Sequence, residues 1–259
     1  MAAAAPRYTR CPKCGHRPLP LEQSLPAGCP ACGVILAKAG QRLPRTVRAV
    51  RTVRASADEQ RGVLANWLLH LPEHIEPWQW WARALLLAAF AVWGVALIGA
   101  DHRSGEIGAS FLHGPLLVFH EAGHVIFALF GQWMAVLGGT LMQLLMPAVM
   151  MLALLWRNRD PFGAALALWL LGVSLLDVAP YVHDALQPQL VLLNGSVGEE
   201  GGHDWIFLLE SLGLRARAPL LGAITHRLGA LVVLLALGWA AWVLLWQRRR
   251  LGANLLREG

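Results

Sequence analysis

Charge is scarce in this sequence. Asp, Glu, Lys and Arg make up 15% of its 259 residues, against about 25% in an ordinary soluble domain. At 56% hydrophobic residues the chain is not intrinsically disordered, because disorder needs low hydrophobicity and many charges. Cysteine is scarce as well. Four cysteines, all between positions 11 and 32, cannot staple a chain of this length, which excludes a secreted disulfide scaffold. The opening residues, MAAAAPRYTR, hold no apolar core of signal-peptide length. The N-terminal segment is therefore expected to stay in the cytoplasm, where thiols remain reduced.

The missing charge is concentrated in long runs. Residues 84–100 and 228–247 contain no Asp, Glu, Lys or Arg. Residues 112–156 contain only Glu121, and residues 161–183 only Asp177. About 20 apolar residues cross a hydrocarbon layer about 30 Å thick. Helices are expected over 81–100, 112–131, 140–156, 162–183 and 222–247, with a break around Gly131 and Gly138-Gly139. Trp78, Trp80, Trp81, Trp133, Trp156, Trp242 and Trp246 fall near the expected span ends, where indole rings anchor at the interface. The expected fold is mainly α: a polytopic membrane helix bundle of four to five spans with a small N-terminal zinc ribbon. Its parts are a ribbon over 1–40, a basic linker and juxtamembrane segment over 41–80, a membrane domain over 81–247 and a basic tail over 248–259.

The charges that remain bear on orientation. Five crossings from a cytoplasmic start would export Arg157, Arg159 and Arg248-Arg249-Arg250, against the positive-inside bias. If 112–131 dips in without crossing, four spans remain and both Arg clusters share the starting side. The acidic loop of Asp184, Glu199, Glu200, Asp204 and Glu210 then faces outward. Arg42, Arg45, Arg48, Arg51 and Arg54 recur every three residues, a spacing that makes no single helical stripe. With few aromatics nearby for base stacking, the lipid surface is the expected partner of this linker and nucleic acid is disfavoured.

Two motifs carry chemistry. Cys11-Pro-Lys-Cys14-Gly and Cys29-Pro-Ala-Cys32-Gly have the spacing of a four-thiolate zinc site. The Gly after each pair lets the backbone turn towards the sulfurs. This zinc is structural, and the ribbon is a candidate docking module for a cytoplasmic protein. The second motif is His120-Glu121-Ala-Gly-His124. Residues i and i+4 share a helix face, so His120 and His124 can hold one metal ion. Glu121 lies next to them as a candidate catalytic base. Three ionisable groups in an apolar run are costly unless they pair or bind metal. A catalytic zinc needs a third protein ligand and an open position. Asp184, at the end of the fourth expected helix, is the first choice for that ligand. His203, after a glycine-rich loop, and Asp177, in mid-span, are the alternatives.

With Gly138-Gly139-Thr140 and a carboxylate two helices later, this pattern resembles the site-2 protease class of intramembrane metalloproteases over residues 110–210. The resemblance implies zinc-dependent hydrolysis of peptide bonds in membrane-protein substrates, with His120 and His124 as ligands and Glu121 as base. That class takes its third ligand from Leu-Asp-Gly or Asn-Pro-Asp-Gly; here Asp177 is followed by Val and Asp184 by Ala. Together with the ribbon, the chain also resembles bacterial peptidase-like membrane proteins, which implies the bacterial cytoplasmic membrane. The competing expectation is a non-catalytic scaffold, in which zinc ties helices together and the ribbon recruits a cytoplasmic partner.

Overall fold

The computed structural model describes residues 10–11, 13–17, 28–34, 68, 70, 75–198 and 202–258. The chain divides into two compact units, Met1–Gly62 and Val63–Gly259. The arginine linker at 42–54 lies outside the described residues.

The first unit carries two matching knuckles. Cys11 N–H donates to the His16 carbonyl at 2.8 Å, and Gly15 N–H returns to the Cys11 carbonyl at 2.9 Å. Cys29 repeats this with Val34 at 2.9 Å and Gly33 at 2.7 Å. Gly15 and Gly33 sit at φ of 76° and 70°, where a Cβ would be strained. The turns bring all four sulfurs within 4.8 Å of one another.

The second unit is helical. Its α-helices are α1 (Pro77–Gly99), α2 (His113–Phe127), α3 (Gln132–Trp156), α4 (Pro161–Asp184), α5 (Asp204–Ser211) and α6 (Ala218–Glu258). Proline at the first turn starts α1 and α4, where the missing N–H costs nothing. Four helical stretches are long and apolar enough to cross a membrane: Pro77–Gly99, Gln132–Trp156, Pro161–Asp184 and Arg215–Leu251. The chain is thus a polytopic membrane helix bundle with a cysteine cluster near its N-terminus.

Helix α2, an expected span, is not among them. Its 15 residues span about 22 Å at 1.5 Å each, short of the hydrocarbon thickness. Two expected boundaries also move. The break before α3 occurs at Gly131 alone, at φ 94°, and Gly138-Gly139 lie inside the helix. They are a contact surface rather than a breaker: a Cβ on Gly123 of α2 would lie 2.1 Å from the Gly138 carbonyl oxygen. Likewise the basic tail is no separate segment, because α6 continues through Arg248–Arg250 to Glu258.

Helix α4 is the core of the unit. Ala164, Ala165, Leu176 and Ala179 along it are fully buried. It meets α6 backbone to backbone: a Cβ on Gly229 would lie 2.8 Å from the Gly172 carbonyl oxygen. Small residues of this kind let membrane helices approach closely enough for dispersion to hold them. At one end, Trp80 Nε1 donates to the Leu244 carbonyl at 3.0 Å and Arg83 lies 4.0 Å from Asp160. Arg248 rests over the Trp80 ring. These contacts gather the start of α1, the α3–α4 turn with Arg157 and Arg159, and Arg248–Arg250 at the same end of the bundle. This matches the four-span count.

Candidate metal centre

Helix α2 places His120 and His124 one turn apart, with ring centres 4.9 Å from each other. Their Nδ1 atoms turn away from the site. His120 Nδ1 pairs with Gln143 Oε1 at 3.1 Å, and His124 Nδ1 with the Ala135 carbonyl at 2.9 Å. A carbonyl oxygen only accepts, so both Nδ1 atoms carry the proton. In the neutral rings both Nε2 atoms then present lone pairs, the arrangement that second-sphere partners impose on metal-ligating histidines.

The two Nε2 atoms converge on a single oxygen. Asp204 Oδ2 lies 2.9 Å from His120 Nε2 and 3.3 Å from His124 Nε2. Two nitrogens and an oxygen about 2.0–2.1 Å from a tetrahedral ion would be separated by about 3.3 Å. The donor set and its spacing fit a metal. Burial pushes the Asp204 carboxyl up, but the imidazoles of His120 and His124 beside it outweigh burial and hold the group below the usual carboxylate range. It is thus an anion, as a ligand must be.

Close helix packing makes this approach feasible. A Cβ on Gly139 would sit 2.5 Å from His120 Nε2 and 2.7 Å from His124 Cε1. Only glycine leaves room there for both rings. Gln143, one turn further along α3, also donates through Nε2 to Asp177 Oδ2 at 2.8 Å. Asp177 Oδ1 pairs in turn with His113 Nδ1 at 2.9 Å. The mid-span carboxylate is thereby satisfied, and it acts on His120 only through Gln143.

The expected third ligand needs correction on this geometry. Asp184 Oδ1 accepts from the backbone N–H groups of Gln189 and Leu190 at 2.8 and 3.2 Å. Its Oδ2 lies 3.3 Å from His203 Nε2. His203 Nδ1 in turn caps α5 by accepting from Ile206 N–H at 3.4 Å. Both residues are occupied in building the loop, and Asp177 belongs to the Gln143 chain. The carboxylate that lies with His120 and His124, close enough to share an ion, is Asp204. Its backbone N–H donates to the Tyr181 hydroxyl at 3.0 Å, which fixes the start of α5 against α4. The sequence reading counts Asp204 only among the charges of an acidic loop. A signal does exist, since Asp204 opens an apolar segment two residues after Gly202. Gln143, also missed, is an amide in the apolar middle of α3, one turn from Gly139.

A cavity of about 640 Å³ adjoins the group. Glu121, His124, Asp177, Tyr181 and Asp204 line it, and the 190–194 loop closes one wall. Glu121 is exposed and stands on the cavity wall with His124 and Asp204.

In the first unit, the Cys11–Cys32 and Cys14–Cys29 sulfurs are 3.8 and 3.7 Å apart. Sulfurs about 2.3 Å from a tetrahedral ion lie about 3.8 Å apart. The Cys14 backbone N–H is the chief influence holding the Cys11 thiol down at about 6. For Cys14, the pull of the His16 N–H is outweighed by the Cys32 thiol, burial and the other two cysteines, which push it up to about 12. Four sulfurs this close do not all ionise unless a cation is present, so this cluster too could hold a metal. Comparison of the chain with protein-family models, with curated proteins and with solved structures finds no match.

Proposed function

We propose that this protein is a zinc-dependent intramembrane metallopeptidase that hydrolyses peptide bonds of membrane proteins. One observation carries the reading: His120 Nε2 and His124 Nε2 converge on Asp204 Oδ2 while Glu121 borders the adjoining cavity. Two imidazoles and one carboxylate form a ligand set suited to catalytic zinc, with a fourth position left for solvent. His120, His124 and Asp204 would hold the ion, which when bound lowers the pKa of water and polarises a carbonyl. Glu121 accepts the proton of the attacking water and returns it to the leaving amide nitrogen. Gln143 and the Ala135 carbonyl keep both imidazoles in the tautomer that the site needs. A substrate helix has to unwind locally to offer its carbonyl, because helical amides are internally satisfied.

The Cys11, Cys14, Cys29 and Cys32 cluster holds a second, structural zinc, and its ribbon docks a cytoplasmic protein partner. The bundle end that carries Arg157, Arg159 and Arg248–Arg250 faces the cytoplasm of a bacterial cell, as the positive-inside bias requires.

The test is Glu121→Gln in the full-length protein, reconstituted with a fluorogenic transmembrane peptide. Hydrolysis is expected to fall by about 10²–10⁴, with metal content and melting temperature unchanged. Wild-type turnover by this variant would overturn the proposal. Should no hydrolysis occur even in the wild type while His124→Ala both loses metal and melts earlier, the ion is a structural tie in a non-catalytic scaffold.

A further inference from the structure

Three histidines outside the HExxH site form a second cluster. His102 lies on the irregular segment after α1, His183 near the end of α4 and His226 in the third turn of α6. The His102 ring centre is 4.9 Å from that of His226 and 5.8 Å from that of His183. The first of these equals the separation of His120 and His124. Imidazoles bound through nitrogen about 2.0–2.1 Å from one tetrahedral ion have ring centres about 5 Å apart.

The backbone builds this proximity. A Cβ on Gly222 would lie 2.7 Å from His183 Cβ and 3.0 Å from the Ala179 carbonyl oxygen. Glycine at that position lets α6 approach α4, and His226 follows one turn later on the same face. His226 Nε2 pairs with the Ile98 carbonyl at 3.1 Å, so Nε2 holds the proton and Nδ1 the lone pair. That Nδ1 is buried and has no hydrogen-bond partner, a costly state for a polar atom. Among the described residues, nothing hydrogen-bonds the rings of His102 or His183. The nearest carboxylate in sequence, Asp101, is engaged by the Arg103 guanidinium at 3.0 Å. Burial, then the neighbouring imidazoles of His226 and His183, hold the His102 pKa below the ordinary histidine value.

We propose that His102, His183 and His226 form a further binding site for a divalent transition-metal cation such as Zn²⁺. Binding requires the His102 and His183 rings to turn about χ2 until a nitrogen of each faces His226 Nδ1. The ion ties α4, α6 and the 100–112 segment together. That segment supplies Gly105 and Gly108 to the wall of the cavity beside Glu121, so the ion stiffens one side of the proposed active site. Ligation uses the unprotonated imidazoles, so affinity falls as the pH drops.

The test is zinc titration of the metal-stripped full-length protein in detergent, with bound metal counted and melting temperature followed. Wild type is expected to take up one equivalent more than the cysteine cluster and the His120–His124–Asp204 group require. His102→Ala and His226→Ala should each take up one equivalent fewer than wild type and lose part of the zinc-dependent rise in melting temperature. His124→Ala should lose a different equivalent, and His102→Ala combined with His124→Ala should lose two. Equal uptake by His102→Ala and wild type would overturn the proposal, whatever becomes of the peptidase reading. His102 lies outside the helices, so this variant decides the matter even if His226→Ala fails to fold.

Discussion

The cysteine cluster and the His120–His124–Asp204 group are both sets of donors close enough to share an ion, yet they are assembled in opposite ways. The cysteines come from two short turns 18 residues apart, each closed by its own backbone hydrogen bonds. Every ligand is placed by its neighbours in sequence. In the membrane unit only the two histidines are placed locally, by the pitch of α2. The carboxylate arrives 84 positions after His120, on a different helix, after α3 and α4 have been packed. A locally built site needs its knuckles to close, whereas the membrane site needs the whole bundle. This difference determines how each should fail.

The largest separation is expected between Asp204 and Asp184. Asp204→Ala should remove the metal held with His120 and His124 and with it any hydrolysis, since two histidines alone leave the set one donor short. Asp184→Ala should keep that metal. Its cost should appear in the 189–190 turn, as a loss of roughly 1–3 kcal/mol from two backbone N–H groups left without their acceptor. Metal content and melting temperature of the two variants measure this directly. If Asp184→Ala loses the metal and Asp204→Ala keeps it, the assembly described here is wrong.

This contrast also explains what was legible in the sequence. The spans were legible because absence of charge over some 20 residues has one main physical solution. The cysteine site and the His120/His124 pair were legible because their spacing is a local property. The carboxylate was not, because no rule within α4 or α5 says which acid reaches α2. Asp184 and His203 look like ligands by residue type, but each satisfies loop backbone instead. Gly138-Gly139 read as a breaker for a similar reason. Glycine marks a bend or a close contact equally well, and only the facing Gly123 decides between them.

Next in size is Gly139→Ala. The added methyl would lie 2.5 Å from His120 Nε2, so either α2 moves away or the imidazole turns off its target. Overpacking of this kind costs about 1–3 kcal/mol. Zinc affinity of the membrane unit should fall while the cysteine cluster titrates as before. An unchanged affinity would mean that α2 and α3 are further apart than described.

A smaller effect is expected from Gln143→Met, which keeps bulk but removes the acceptor for His120 Nδ1 and the donor to Asp177. Loss of a second-sphere partner weakens metal binding by about 10–100-fold. The ion should still bind, which distinguishes this variant from Asp204→Ala. A binding curve coinciding with that of wild type would show that His120 holds its tautomer without help.

The smallest effect on the membrane unit should come from Cys32→Ser. The two units are separately compact, and all four thiols belong to the first. One thiolate lost from a four-sulfur set should release the ribbon's ion, because a module this small has no core to hold it without metal. The positions of His120, His124 and Asp204 depend on Gly139, Gln143 and Tyr181 of their own unit. The variant should lose one metal equivalent and keep both the membrane unit's zinc affinity and the cleavage rate of a peptide that needs no recruitment. A fall in that rate would show that the ribbon feeds the site rather than standing apart from it, and the contrast between a local and an assembled metal centre would then become a coupling between them.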